Sequence, residues 1–280
     1  MAAVAGLDGL GSLIVPALLL AGLAGVMAVN GGLFEGPVAA APAAPPQTVT
    51  IAPRDFSYRA SGQFQRGNAE VDGPLQDLHG ARLEITVHQV SVADYGRCVA
   101  EGACAPAIAR GRAKEAGMPV TGVNFDDAED YARWLSAATG ETWRLPSDAE
   151  WVFAAGSRFA DDAVGIEGET GNPADRWLAR YAQEAALGAG ASAAPEPLGS
   201  FGINEFGVAD LAGSVWEWTS TCHSRTRLDE AGQVLDTLQS CGVRIVEGRH
   251  RTGMSSFIRD ARSGGCTVGA PPDNLGFRLV

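Results

Sequence analysis

Apolar and polar positions along the chain predict short strands followed by several helices. Residues 48–58 and 82–90 are rich in β-branched or alternating apolar residues, a pattern typical of strands. From Phe125 to Thr139 the apolar residues recur every three or four positions, which predicts an amphipathic helix that ends at Gly140. A further helical run lies near residues 175–186. The pattern therefore predicts an α+β fold.

Three polar residues stand at predicted helix starts. Ser91, Asn124 and Ser147 can each cap a helix, and each is followed three residues later by an acid that can complete the cap. Ser91 predicts a short helix through Tyr95 and Val99, and Ser147 predicts a helix over residues 148–155. The acids belong to the caps, so we assign no chemistry to them: Asp94, Asp127 and Glu150.

The N-terminus separates from the rest by composition. Residues 9–34 carry no charged side chain and are long enough to span a bilayer as one helix. We therefore predict a membrane anchor at residues 1–35, a Pro/Ala linker at 36–47 and one domain at 48–280. A cleaved secretory signal is the alternative, with a candidate cleavage site at residues 39–41.

Charge excludes one class of partner. The chain has a formal net charge of −12 and no basic stripe, which argues against nucleic-acid binding.

The Gly-rich stretch 199–218 is the candidate for an ion site. Asp210 and Glu217 lie seven residues apart in a segment too rich in glycine for a stable helix. Their carboxylates, with the backbone carbonyls of Gly213 and Val215, would suit Ca²⁺. The alternative is a glycine-turned loop whose acids are solvated and whose tryptophans pack in a core.

Three motifs, in order, carry a resemblance to a known family. Residues 204–218, N-E-F-G-V-A-D-L-A-G-S-V-W-E-W, resemble a signature of the formylglycine-generating enzymes, or sulfatase-modifying factors. Residues 144–151, R-L-P-S-D-A-E-W, and the closing N-L-G-F-R-L-V resemble two others. The resemblance implies a C-type-lectin-like fold with little regular secondary structure. It also places Asp210, Gly213, Val215 and Glu217 on the calcium site of the family, although Ser214 replaces the usual Asn.

Four of the five cysteines form two plausible pairs. Cys98 and Cys104 flank a helix end and a glycine turn that could bring them within bridging range, and Cys222 and Cys241 flank what we expect to be an irregular polar loop. Both placements resemble periplasmic members of the family. Two disulfides would imply an oxidising compartment, so we predict an inner-membrane protein with its domain in the periplasm. Unpaired buried thiols are the alternative.

The copper chemistry of the active family members is not expected here. In those enzymes two cysteines five residues apart bind copper and oxidise a substrate cysteine. The matching segment, residues 244–265, contains no cysteine, and alignment puts the pair on Gly253 and Ile258 or on His250 and Ser255. Neither pair offers the thiolates that suit Cu(I).

One cysteine remains outside the predicted pairs. Cys266, near Arg262 and with His250 in the same region, could be a reactive thiol, an intermolecular link or a buried side chain. These three residues are the candidates for any remaining catalysis.

Two functions follow from these observations. The first is a membrane-anchored, non-catalytic binding protein with a protein partner in the periplasm. Its R-D-A-R-S-G-G-C segment at 259–266 resembles accessory proteins found beside copper nitrite reductases. The second is an oxidoreductase that acts on protein cysteines or small thiols through Cys266.

Overall fold

The computed structural model describes residues 44–109, 111–166, 172, 174–188, 194–257 and 271–280. These residues form four α-helices and ten strands. The helices are α1 (Val92–Ala100), α2 (Phe125–Thr139), α3 (Asp148–Ala155) and α4 (Asp175–Gly188). The strands are β1 (Thr48–Ile51), β2 (Arg54–Arg59), β3 (Gln63–Arg66), β4 (Ala69–Val71), β5 (Leu75–Gly80), β6 (Leu83–Thr86), β7 (Trp216–Leu228), β8 (Val234–Glu247), β9 (Thr252–Ser255) and β10 (Leu275–Gly276).

The main sheet contains six strands in the order β4-β3-β7-β8-β9, with β10 pairing to β7. Two smaller sheets pair β1 with β6 and β2 with β5. The predicted strand at 48–58 is thus two strands in different sheets, separated at Pro53, whose nitrogen cannot donate to a ladder. The predicted strand at 82–90 is shorter than expected. Beyond Thr86 its backbone continues to bond with the C-terminus, since Val90 N donates to Phe277 O at 3.0 Å.

The irregular loop that we expected between Cys222 and Cys241 is a long antiparallel hairpin. β7 and β8 pair from Glu217–Glu247 to Leu228–Val234, with bulges near Cys222 and Arg227. The expectation was wrong because the outer half of β8 is exposed on both faces and therefore lacks the alternation that marks a half-buried strand. The two cysteines form the predicted disulfide across this hairpin.

The predicted helix caps are confirmed. Asn124 and Ser147 each accept the backbone N–H of the acid three residues on, and that acid accepts the N–H of the cap residue in return. Ser91 Oγ accepts Asp94 N at 2.9 Å. Gly140 ends α2 with φ at 75°, in the left-handed region that favours glycine.

Two hydrophobic clusters form the core, and residues of the three motifs belong to both. The first packs α1 and α2 against Trp218 and Phe277, and it contains the predicted Cys98–Cys104 disulfide. The second packs Trp151 of α3 against Ile85 and Leu211. Substitution of a buried tryptophan in either cluster by alanine would cost about 3–5 kcal/mol, so we assign the tryptophans of these two clusters to packing.

The predicted anchor, residues 1–35, lies outside the described residues. Among the helices that the structure does describe, none has both the length and the apolarity needed to cross a bilayer.

Candidate functional site

The loop before β7 is held in shape by the Asp210 carboxylate. Its Oδ2 accepts Gly199 N at 2.6 Å and its Oδ1 accepts Phe201 N at 2.9 Å. His88 Nδ1 lies 3.4 Å from Oδ2. Asp210 itself has φ at 60°, an uncommon conformation for a residue with a side chain, and these bonds compensate it. The carboxylate thus closes the turn from within.

Glu217 joins the three motifs in one buried network. Its Oε1 accepts Arg278 Nη2 at 2.8 Å, and its Oε2 accepts Arg278 Nε, so the guanidinium and the carboxylate form a bidentate pair. Gln89 Nε2 and Trp151 Nε1 also donate to these oxygens, both at 2.8 Å. Arg278 further donates to Ala209 O at 2.9 Å. Trp151, Glu217 and Arg278 come one from each motif.

This arrangement does not fit a calcium ion at the predicted ligands. Each oxygen of the Asp210 and Glu217 carboxylates already accepts an N–H, and the positive charge beside Glu217 comes from Arg278. Calcium needs oxygens whose lone pairs face the ion, so these donors would have to leave first. The carbonyls of Gly213 and Val215 alone are a poor set. As the structure holds them, these residues do not fit the calcium ion that the resemblance implies, and we derive no chemistry from it.

We expect the midpoint of thermal unfolding to be equal in excess chelator and in excess Ca²⁺, because an ion that does not bind the native state cannot stabilise it. Calorimetry of a sample first incubated with chelator under mild denaturant, to release any slowly exchanging ion, measures this. An increase in the midpoint with Ca²⁺ that is absent with Mg²⁺ would restore the ion site.

A second buried cluster lies between α3, β2 and the end of β8. Arg251 Nε donates to Glu247 Oε1 at 2.7 Å and lies 3.3 Å from Asp148 Oδ1. Arg251 Nη1 donates to Arg59 O at 2.9 Å and lies 3.6 Å from Asp162 Oδ2. Tyr58 donates its hydroxyl to Asp148. Arg251 therefore faces two buried carboxylates, Asp148 and Glu247, and the half-buried carboxylate of Asp162.

Burial perturbs the ionisation of this cluster. Burial, and after it the neighbouring Asp148, raise the pKa of Glu247 well above its ordinary value, and Arg251 only partly opposes this. Burial also raises the pKa of Asp162. For Arg251, burial alone would lower the pKa, but Asp148, Glu247 and Asp162 outweigh it and raise the pKa above the usual value. Strand pairing and packing bury these groups only in the folded protein, so their pKa values differ between the folded and the unfolded state.

Strand β9 lies between two cavities. The first, which we call the apolar cavity, has a volume of about 210 Å³ and includes Trp216, His250 and Met254 in its wall. The second, which we call the polar cavity, has a volume of about 170 Å³ and includes Asp162, His223 and Arg251. Thr252 lines both. One short strand thus separates an apolar space from a charged one.

His250 is the candidate catalytic residue that the structure describes. Its ring packs against Trp216 at 5.1 Å between centroids, and its backbone oxygen accepts Trp216 Nε1 at 3.0 Å. Its Nδ1 is 3.4 Å from Arg251 O. Ser255, the second position of one possible copper pair, is on β9. Cys266 and Arg262, with Ile258, lie outside the described residues.

Sequence reasoning missed the Arg251 cluster. A signal was present in V-E-G-R-H-R, residues 246–251, where charges interrupt a strand that is buried at its end. Asp148 could not be recognised as a member of this cluster from the sequence, because it lies two residues before the cap acid Glu150 and has the pattern of an ordinary acid in the first helical turn.

The chain is similar to known proteins over most of its length. A model of the sulfatase-modifying factor enzyme 1-like domain matches residues 31–280. The formylglycine-generating enzyme of Mycobacterium tuberculosis is 42% identical over 115 residues, which are 39% of this chain and 35% of that protein. The inactive C-alpha-formylglycine-generating enzyme 2 of Mus musculus is 27% identical over 178 residues, 58% of this chain and 49% of that protein. The chain thus spans about half or less of these relatives.

A solved structure supports the fold. PvdO from Pseudomonas aeruginosa superimposes with a TM-score of 0.51 at 22% identity, covering 84% of this chain and 93% of that one. At this identity the likeness concerns the arrangement of the backbone and carries no function.

Proposed function

Because the chain belongs to the family of proteins with a sulfatase-modifying factor enzyme 1-like domain, we propose that it is a binding protein that retains the family scaffold without its copper oxidase chemistry. Relatives named formylglycine-generating enzyme and inactive C-alpha-formylglycine-generating enzyme 2 both match, so the choice between catalysis and binding rests on the residues of the site. The observation that carries the proposal is where the cysteines lie and how they pair. Four of five form the two disulfides, and the segment 244–265 has none.

The apolar cavity, the polar cavity and strand β9 between them, which together we call the cleft at β9, support binding of an extended polypeptide. β9 pairs with β8, and among the described strands it ends the sheet. An edge strand can add a further strand through its backbone N–H and C=O groups. Side chains of a peptide laid along β9 would alternate toward the apolar and the polar cavity, which gives a physical basis for selecting its sequence.

The cellular setting belongs to the same proposal. The two disulfides favour an oxidising compartment, and the apolar segment 9–34 favours attachment to the inner membrane with the domain in the periplasm. The partner is a periplasmic protein. An accessory role beside a copper nitrite reductase rests on the sequence R-D-A-R-S-G-G-C at 259–266 alone.

Photo-crosslinking tests the cleft. A photoreactive residue in place of Met254 should capture one partner from native membranes, and the same residue in place of Leu238 on the exposed hairpin should not. Thr252→Arg, which places a long charged side chain between the two cavities, should abolish the crosslink at position 254. Leu238→Arg is the matched control and should preserve it. Equal capture from both positions, or capture that survives Thr252→Arg, would contradict binding in the cleft.

Copper oxidation should be absent. We expect that the purified protein, supplied with Cu(I), oxygen and a cysteine peptide of the sulfatase type, forms no aldehyde detectable by mass spectrometry, because copper lacks its thiolate pair. Denatured but unreduced protein should expose one thiol per chain. Aldehyde formation would overturn the proposal, and its loss in Cys266→Ser would assign the activity to Cys266.

A further inference from the structure

Helix α4 is amphipathic, but its apolar face is directed toward solvent and its polar face toward the domain. Its exposed positions all carry apolar or aromatic side chains: Ala174 just before the helix, then Trp177, Leu178, Tyr181, Ala182, Ala185, Ala186 and Leu187. Trp177 and Tyr181 are 65% and 63% exposed, and Leu178 is 49% exposed. A surface helix normally directs such residues toward the core. We call these exposed positions the α4 face.

The opposite side of α4 is polar and holds the helix to the domain. Arg176 pairs with Asp72 and donates to Ile166 O at 2.8 Å, and Arg180 pairs with Glu70 at 2.8 Å. Asp72 also accepts Val164 N and Gly165 N. These ion pairs fix the rotation of the helix about its axis. The apolar residues therefore face solvent because the charged ones are engaged, and rotating them inward would break these pairs.

The α4 face has the chemistry of a lipid interface. Trp177 and Tyr181 stack with 5.8 Å between ring centroids, which makes one flat aromatic surface one turn long. Trp and Tyr concentrate at the level of lipid headgroups, and leucine anchors beside them reach the acyl boundary. No residue of the α4 face carries a formal charge that burial would have to desolvate.

The sequence places the bilayer within reach. The apolar run 9–34 is followed by a linker of twelve residues, 36–47, before β1. A Pro/Ala-rich linker of that length spans up to about 40 Å at ~3.1 Å per residue. Such a tether makes contact with the membrane effectively intramolecular, so a small apolar face suffices for occupancy.

We propose that the α4 face docks on the surface of the membrane and thereby orients the domain. The uncharged face suits neutral lipid, because the chain as a whole has a net charge of −12 and is repelled by anionic lipid. This inference rests on the membrane attachment in the proposed function but not on peptide binding at β9, so failure of peptide binding leaves it standing.

Site-specific fluorescence tests the proposal on the full chain. In a Cys266→Ser background, an environment-sensitive dye is attached to Ala182→Cys and, as the control, to Ile203→Cys, where the native isoleucine is 64% exposed in a loop. The protein is reconstituted in phosphatidylcholine vesicles with and without headgroup-level quencher lipid. We expect a blue shift and at least a twofold loss of emission with quencher lipid at position 182, and neither change at 203.

A charged substitution separates lipid contact from other causes. Leu178→Glu should abolish the shift and the quenching at position 182, whereas Ile203→Glu should leave both unchanged. Failure of the protein to float with vesicles would overturn the proposal. So would a dye at position 182 whose emission is quenched by iodide in solution and not by quencher lipid. A blue shift without lipid quenching, which disappears when labelled chains are diluted with unlabelled ones, would replace the membrane by a second copy.

Discussion

Arg278→Met should lower the free energy of unfolding by about 3–5 kcal/mol, because it leaves Glu217 charged and buried without a counter-charge. Both side chains are essentially inaccessible to solvent, with exposures of 0% and 1%. Arg278 also satisfies the backbone oxygen of Ala209, which would lose its donor. Methionine has a similar length, so the loss reports the charge and hydrogen bonds more than a cavity.

Urea denaturation followed by tryptophan fluorescence measures this loss. Arg227→Met is the matched control, because Arg227 pairs with Asp236 on the exposed hairpin and such pairs contribute about 0–1 kcal/mol. The double variant Arg278→Met with Glu217→Gln should recover part of the loss, since it removes the orphaned charge. A single variant that is as stable as the control would show that the network does not hold the motifs together.

The same network shows what the sequence could and could not predict. The three motifs were recognised separately, and the helices beside them followed from local rules, as the Asn124 and Ser147 caps confirm. That Trp151, Glu217 and Arg278 meet was not predictable, since the pairing depends on contacts 61 and 66 residues apart in sequence. Spacing suggested an ion between Asp210 and Glu217. Spacing alone carries no information on which donors the fold brings to each carboxylate.

The hairpin was missed, and the helix near 175–186 was predicted without its orientation, for one reason. Periodicity marks an element only when one face is buried in the domain. The outer part of β8 is exposed on both faces, and α4 turns its apolar face outward. The helical run near 175–186 is confirmed as α4, but the sequence could not indicate which face of it the domain covers. Such departures from the usual rule are where an interaction surface is expected.

The Arg251 cluster should make stability depend on pH in the opposite sense to ordinary carboxylates. The folded-state pKa of Glu247 is raised, first by burial and then by Asp148, so folding takes up a proton there. Its stabilising contribution is therefore fully present below the unfolded pKa and is lost as pH rises through the folded value. Asp162 acts in the same direction. Carboxylates with lowered pKa values, such as Asp72, work against this at acid pH.

Glu247→Gln should therefore flatten the decline in stability above mildly acidic pH, because glutamine keeps the shape and has no proton to lose. Urea midpoints between about pH 5 and 9, a window that follows from the raised direction of the shift, measure the slope. Glu84→Gln, at an exposed position of β6, is the matched control and should leave the slope as it is. A parallel curve for Glu247→Gln would place the titrating proton elsewhere.

Arg251→Met should lower the free energy of unfolding by more than Glu247→Gln does, and the size of this loss should depend on pH. It leaves the buried Asp148 and Glu247 and the half-buried Asp162 without their cation, which should cost about 3–5 kcal/mol at neutral pH. The loss should shrink as pH falls, because Glu247 and Asp162, whose pKa values are raised by burial, need no counter-charge once they are protonated. Combining it with Glu247→Gln should restore part of the stability at neutral pH. A loss that is equal at all pH values would mean that Arg251 stabilises the fold through its packing against Tyr58 and Phe159, and not by balancing these charges.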